Sequence, residues 1–182
     1  MTETLRAAIF LDRDGVINEN RAQYVRTWEQ LQLLAGALPA LVRLAGSAFA
    51  VVIVTNQSAI GRGLMGSTVA QHINAQLVAQ LERAGGRIDG VYVCPHRPDE
   101  DCTCRKPRPG LLLQAASDLK LDLERSWVVG DAATDAQAGL AAGTRALLVR
   151  TGRGSEIGGL PAGVAQVADL AAAVDHILRM PY

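Results

Sequence analysis

Two apolar runs shape the first third of the chain: Ala7 to Leu11 (AAIFL) and Ala48 to Val54 (AFAVVIV). Neither alternates apolar with polar residues, and the second is rich in β-branched side chains. Both therefore read as strands covered on two faces, the pattern of a parallel sheet. Between them Leu38, Leu41, Val42 and Ala45 recur at three- and four-residue steps before Gly46, the stripe of an amphipathic helix with a glycine stop. A strand, helix, strand unit is a crossover connection, and few architectures accommodate it repeatedly.

The alternation continues. Val69, Ile73, Leu77 and Leu81 mark a second helix ahead of Gly85-Gly86, and Ile88 to Val93 reads as the next strand. A helix from about Pro109 to Leu119 precedes a strand from Ser126 to Val129. Ala136 to Ala142 reads as helix, Arg145 to Val149 as strand, and Asp169 to Met180 as a closing helix that Asp169 can cap. Five or six strands alternating with helices predict an α/β fold, a Rossmann-like three-layer sandwich with a mostly parallel central sheet. One domain over residues 1–182 is expected, with Thr151 to Gly163, rich in glycine, as a surface loop. No insertion is long enough for a large cap domain, so an active site here is expected to be open.

Charge narrows the partners. The 18 Lys+Arg balance the 18 Asp+Glu, and aromatics make up 4%. That gives no electrostatic reason to bind nucleic acid or an anionic membrane, and few stacking platforms for single strands. The longest apolar runs, such as the seven residues Ala48 to Val54, fall far short of the roughly 20 that cross a bilayer. The N-terminal MTETLRAAIF has no basic region leading into a long apolar stretch. A cytoplasmic monomer is the expectation.

In an open parallel sheet, ligands bind beyond the carboxyl ends of the strands. The first strand ends in Asp12-Arg13-Asp14-Gly15 and the second in Thr55-Asn56-Gln57-Ser58. The fourth ends in Gly130-Asp131, with Asp135 close behind, and Lys106 lies in CRKPRPG just before a helix. Taken singly, such residues are usually turn or cap residues; as an ordered series at strand ends they converge on one rim. Carboxylates brought together repel by several kcal/mol at low effective dielectric. A cation is therefore expected among them, and a few oxygen ligands with room for water and phosphate suit Mg²⁺.

All three cysteines lie in one short loop. Cys94-Pro95-His96, then five residues, then Cys102-Thr103-Cys104 supply three thiolates and an imidazole within eleven residues. Four such ligands close a tetrahedral, structural Zn²⁺ site in a small loop, 94–104. A reduced cluster without metal, or a redox pair, is the alternative. His72 and His176 fall on helices and read as surface or packing residues.

FLDRDGVIN, VVIVTNQSAIGRG, CRKPRPG and VVGDAATDAQAG resemble, in order, the four motifs of the haloacid dehalogenase superfamily of aspartate-nucleophile phosphatases. CPHRPDEDCTCRKP with TNQSAIGRG resembles the branch that contains heptose bisphosphate phosphatases, whose histidinol-phosphate relatives share the zinc loop and CRKP. The resemblance implies that Asp12 is the nucleophile and Asp14 the general acid and base. It implies that Asp12, Asp131 and the backbone carbonyl of Asp14 hold Mg²⁺, and that Thr55 and Lys106 stabilise the transferring phosphoryl group. Asn56, Gln57 and Ser58 would add donors, Arg105 would recognise substrate, and Asn20, Arg21, Ala22 and Gln23 lie where the substrate loop falls. Asp135 would steady Lys106 or a metal-bound water, or else cap the helix that follows.

The implied substrate is a small phosphorylated sugar, a heptose 1,7-bisphosphate losing its 7-phosphate in heptose precursor biosynthesis. Histidinol phosphate or another small metabolite is the alternative. Three departures bear on the sugar: Ala132 stands where the heptose enzymes often carry Lys, Ala59 replaces a frequent Gly, and the loop from His96 to Cys102 is short. A phosphoacceptor signalling receiver also uses acidic residues, Thr and Lys, but there the acidic pair is adjacent and the acceptor follows a middle strand. A zinc-bearing nucleic-acid module is opposed by the neutral charge and scarce aromatics.

Overall fold

The computed structural model describes residues 5–180; the first four, on which part of the N-terminal reading rests, lie outside them. Six strands form one parallel sheet: β1 (Arg6–Leu11), β2 (Ala50–Asn56), β3 (Gly90–Cys94), β4 (Leu121–Gly130), β5 (Arg145–Val149) and β6 (Ala165–Val167). Their order is β3-β2-β1-β4-β5-β6. The chain winds outward from β1 to β3, then crosses back to the other side of β1. The topological switch point thus lies between β1 and β4, which pair from Ile9↔Trp127 to Leu11↔Val129. A crevice opens there at the carboxyl ends of the strands.

Period-two alternation divides the strand residues between two cores. Ile9, Leu11, Val51, Ile53, Trp127, Val129, Leu147 and Val149 face the helices α1 (Ala37–Ala45), α3 (Ser67–Arg83) and α6 (Leu170–Arg179). Ala8, Phe10, Val52, Val54 and Val128 face α4 (Gly110–Leu119) and Ala138 of α5 (Ala133–Ala141). A four-residue helix, α2 (Ser58–Gly61), follows β2 directly. This is the expected three-layer sandwich, with both faces of every central strand withheld from water. Asp169 caps α6, its Oδ1 accepting from the Ala172 amide at 2.9 Å.

Three details differ from the sequence pattern. Val69 is 44% exposed; the buried face of α3 is Ala70, Ile73, Asn74, Leu77 and Leu81. β4 begins at Leu121, because Leu121 and Asp122 pair with Arg6 and Ala7 before the register breaks. Across the break Ser126 Oγ takes the Ala8 amide at 2.8 Å, so polar residues interrupt the apolar run without ending the strand. The segment 151–163 contains a 3-10 turn at Gly154–Glu156, and its first residues pack inward on the strand ends. Among the described residues no helix is long and apolar enough to cross a membrane.

Candidate active site

β1 and β4 deliver their terminal aspartates to the crevice side by side, the Asp12 amide donating to Val129 O at 3.0 Å as a continuation of the ladder. Lys106 reaches the same place from the loop before α4, and it is almost completely buried. Its Nζ donates to Val54 O at 2.8 Å and lies 3.0 Å from Asp12 Oδ1 and 2.6 Å from Asp135 Oδ1. Burial alone would lower the Lys106 pKa, but the charges of Asp12 and Asp135 raise it instead, so the ammonium persists. The Asn56 side-chain amide clasps its backbone, accepting from Lys106 N and donating to Lys106 O, both at 3.2 Å. Asn56 lines the cavity, yet both its amide atoms are used to hold the lysine.

Carboxylate oxygens of Asp12, Asp131 and Asp135 all lie within 4.8 Å of one another. Asp12 is raised to about 6, first by burial and then by Asp135 and Asp14, against the lowering effect of Lys106. Asp131 is raised to about 7 by burial and by the charge of Asp12, offset in part by the Arg153 amide. Asp135 both contacts Lys106 and caps the helix that follows. Its Oδ1 meets Lys106 while Oδ2 accepts from the Ala132 amide at 2.9 Å, closing the first turn of α5. Asp12 and Asp131 remain as oxygen donors, and burial with like charge alongside disfavours ionising both without a cation. The pair fits Mg²⁺ in donor type.

The glycine-rich segment after β5 completes this cluster, which its composition alone does not indicate. Thr151 Oγ1 donates to Gly15 O at 2.6 Å, and the Arg153 amide donates to Asp131 Oδ2 at 2.8 Å. A Cβ on Gly15 would lie 2.0 Å from Asp131 Oδ2, and one on Gly152 2.2 Å from the same atom. Both glycines also have positive φ, 89° and 58°. Backbone thus packs where a side chain would displace the carboxylate.

Asp14 is held by three donors. Arg13 Nη2 bonds both its oxygens at 3.0 and 2.9 Å, Asn18 Nδ2 bonds Oδ1 at 2.8 Å, and Gln57 Nε2 bonds Oδ2 at 2.7 Å. Gln57 Nε2 also donates to Thr55 Oγ1 at 2.9 Å. Gln57 and Thr55 are buried behind the cavity wall, and the Thr55 hydroxyl keeps its own proton for a further acceptor. Arg13, to which the sequence pattern assigns no role, is thereby part of the site.

A cavity of about 1030 Å³ opens above these groups. Asp12, Asp14, Asn56, Ser58, Arg105, Lys106, Asp131 and Asp135 line it, as do Asn20, Arg21 and Ala22. Gln23 is exposed and not among the lining residues; Tyr24 lines the cavity in its stead. Arg62, Arg108 and Arg153 add cations to the wall.

The cysteine loop sits beside this cavity. Cys94 Sγ lies 3.5 Å from His96 Nδ1 and 3.8 Å from Cys102 Sγ, and Cys104 Sγ lies 3.3 Å from His96 Nδ1. Tetrahedral ligands at about 2.3 Å from zinc are separated by about 3.8 Å, so the four donors fit such an ion. All three cysteines are unpaired. Burial pushes the Cys94 thiol up to about 12, a proton that a bound metal would displace. Arg105 Nη1 donates to His96 O at 3.0 Å and to Ser58 Oγ at 2.7 Å, tying the loop to the cavity wall. His72 is exposed, and His176 packs edge-on against Trp127, with ring centroids 5.8 Å apart.

The geometry has close relatives. The D-glycero-β-D-manno-heptose-1,7-bisphosphate 7-phosphatase of Bordetella bronchiseptica is 38% identical over 174 residues, 94% of this chain and 97% of that one. This chain belongs to that phosphatase family. The Yersinia pestis phosphatase of the same name is 43% identical over 162 residues, 84% of this chain and 85% of its own. A family profile described as HAD-hydrolase-like matches residues 103–178. The crystal structure of the B. bronchiseptica D,D-heptose 1,7-bisphosphate phosphatase, complexed with magnesium and phosphate, superposes with a TM-score of 0.90. At 38% identity, that match covers 95% of this chain and 98% of the other.

The carboxylate cluster makes a pH-dependent prediction. Asp12 and Asp131 bind protons more tightly in the folded phosphatase, near 6 and 7, than at the ordinary value of 3.8. Their contribution to stability is full below about pH 4 and is lost as pH rises through 6 and 7. Metal-free protein should therefore lose several degrees of Tm from these groups between about pH 5 and 8, and Mg²⁺ should restore more at pH 8 than at pH 5. A Mg²⁺ effect on Tm independent of pH would contradict it.

Proposed function

We propose that this chain removes the 7-phosphate of D-glycero-β-D-manno-heptose 1,7-bisphosphate through an aspartyl phosphate on Asp12. The observation that carries this reading is the buried Lys106 ammonium fixed between Asp12 and Asp135, with Asp131 alongside, on a cavity rimmed by arginines. Asp12 attacks phosphorus, the bond to the leaving sugar oxygen breaks, and Asp14 gives that oxygen its proton. Asp14 then takes a proton from water, whose oxygen displaces the Asp12 carboxylate from phosphorus and releases phosphate. Lys106 lines the cavity and meets the charge on the phosphoryl oxygens; Thr55, expected to share that task, is buried behind the wall, where it accepts from Gln57. Mg²⁺, held by Asp12, Asp131 and the Asp14 carbonyl, would supply the charge neutralisation that lets a carboxylate approach a phosphate dianion.

Substrate choice is assigned to the rim. Two of the five N–H donors of Arg105 lie on Nη1, which is engaged by Ser58 and His96. Its Nε and Nη2 edge is left for a second phosphate. Asn20, Arg21 and Ala22 face the same space. Zn²⁺ on Cys94, His96, Cys102 and Cys104 would keep Arg105 and Lys106 in register. The protein is proposed to work as a single cytoplasmic domain and as a monomer.

Two measurements test these assignments. Protein purified without chelator should carry about one zinc per chain, and Cys102→Ser should lose it and lower kcat/KM; zinc-free protein of full activity would contradict the zinc reading. A bidentate charged contact contributes roughly 1.5 to 3 kcal/mol, or about ten to a hundredfold. Arg105→Ala should therefore lower kcat/KM on heptose bisphosphate by that factor more than on a simple phosphate monoester. Higher efficiency on histidinol phosphate, or equal loss on every substrate, would overturn the sugar assignment.

A further inference from the structure

Arg13 lies between the two catalytic aspartates in sequence but faces away from the cavity. Its side chain is fully buried, whereas that of Asp14, its ion-pair partner, is 22% exposed. Nη1 donates to Asn74 Oδ1 of α3 at 2.9 Å, and Nη2 straddles both oxygens of Asp14. Nε makes no hydrogen bond within the described residues. A buried guanidinium incompletely satisfied is a poor device for stability, since desolvation offsets most of what the pair gains. A cation that straddles both oxygens does fix the plane of the carboxyl group, because rotation about its terminal torsion would break one contact.

Two other buried side chains hold Asp14. Asn18 comes from the turn after β1, where the Ile17 and Asn18 amides both bond Arg13 O, and Gln57 follows the end of β2. Of the three, Arg13 is the one whose other end is anchored on α3, a helix that contributes no residue to the cavity wall. We propose that Arg13, anchored by Asn74, is a positioning residue that aims the Asp14 carboxyl group at the leaving oxygen. α3 thereby acts on the proton-transfer step without touching substrate. The inference rests on the acid and base role given to Asp14.

Leaving-group dependence isolates that step. kcat/KM covers the reaction through release of the leaving group and excludes hydrolysis of the aspartyl phosphate. A p-nitrophenolate departs without a proton, whereas a sugar or other alkoxide needs one. The experiment compares kcat/KM on p-nitrophenyl phosphate with that on the best alkyl phosphate substrate, in wild type, Asn74→Ala, Asn74→Asp, Arg13→Lys and Asp14→Asn. Asn74→Ala should lower the alkyl-to-aryl ratio roughly tenfold or more, the scale of a misplaced catalytic group. Asn74→Asp, isosteric and still offering the acceptor oxygen, should restore it. Arg13→Lys, whose single nitrogen cannot serve both Asn74 and Asp14, should lower the ratio independently. If Asp14→Asn lowers the ratio while Asn74→Ala and Arg13→Lys reduce both substrates equally or not at all, Arg13 has no positioning role. If Asp14→Asn itself leaves the ratio unchanged, the acid and base reading fails, and this inference with it.

Discussion

A lysine ammonium buried between two aspartates governs the upper surface of this fold. Lys106 Nζ contacts Val54 O, Asp12 and Asp135 within 3.0 Å, so β1, β2 and the start of α5 all end on one charge. Removing one partner of such a buried pair typically costs about 3–5 kcal/mol, because the other charge is left without compensation. The constraint propagates outward. Asn56 clasps the lysine backbone, the cysteine loop ends two residues before it, and Asp135 shares its carboxylate between Lys106 and the first turn of α5.

Charge balance shows what a cation would do at such a site. Full ionisation of Asp12, Asp131 and Asp135 would leave two negative charges beyond what Lys106 offsets, in a pocket where burial already raises Asp12 and Asp131. A divalent ion relieves that excess, and only then does a phosphate dianion become welcome. The backbone of Gly15 and Gly152 closes on Asp131 without side chains, so one oxygen is fixed by the Arg153 amide and the carboxylate keeps a single orientation. The donor set is built from both sides of the switch point, which is why the parallel order of β1 and β4 matters more than any one loop.

The strands and helices were largely legible because buried parallel strands leave unbroken apolar runs and helices leave stripes. The rim positions of Asp12, Asp14 and Asp131 were legible because residues that follow a buried strand have only one rim to occupy, whereas Lys106 reaches it from the loop before α4. Less was legible where a residue acts through a neighbour. Arg13 carries no role in the sequence pattern, since sequence gives no hint that its side chain turns back to Asn74, 61 residues away. Thr151 to Gly154 looked like loose surface because glycine signals flexibility and close approach alike. Gln57 and Asn56 read as ligands for substrate, yet their amides hold Asp14, Thr55 and the Lys106 backbone. Amide side chains serve either purpose, and only distance decides.

The central claim is that Asp12 carries phosphate during turnover. Rapid acid quench during steady-state turnover of heptose bisphosphate, followed by borohydride reduction and peptide mass spectrometry, reads this directly, since an acyl phosphate is reduced to the alcohol while a free carboxylate is not. The account predicts homoserine at position 12, formed only when substrate and Mg²⁺ are both present, and enriched in Asp14→Asn turning over p-nitrophenyl phosphate, where formation needs no proton from Asp14 but hydrolysis of the intermediate is slowed. Reduction at any other carboxylate, or an unmodified Asp12 in that variant while it still releases p-nitrophenolate, would contradict it.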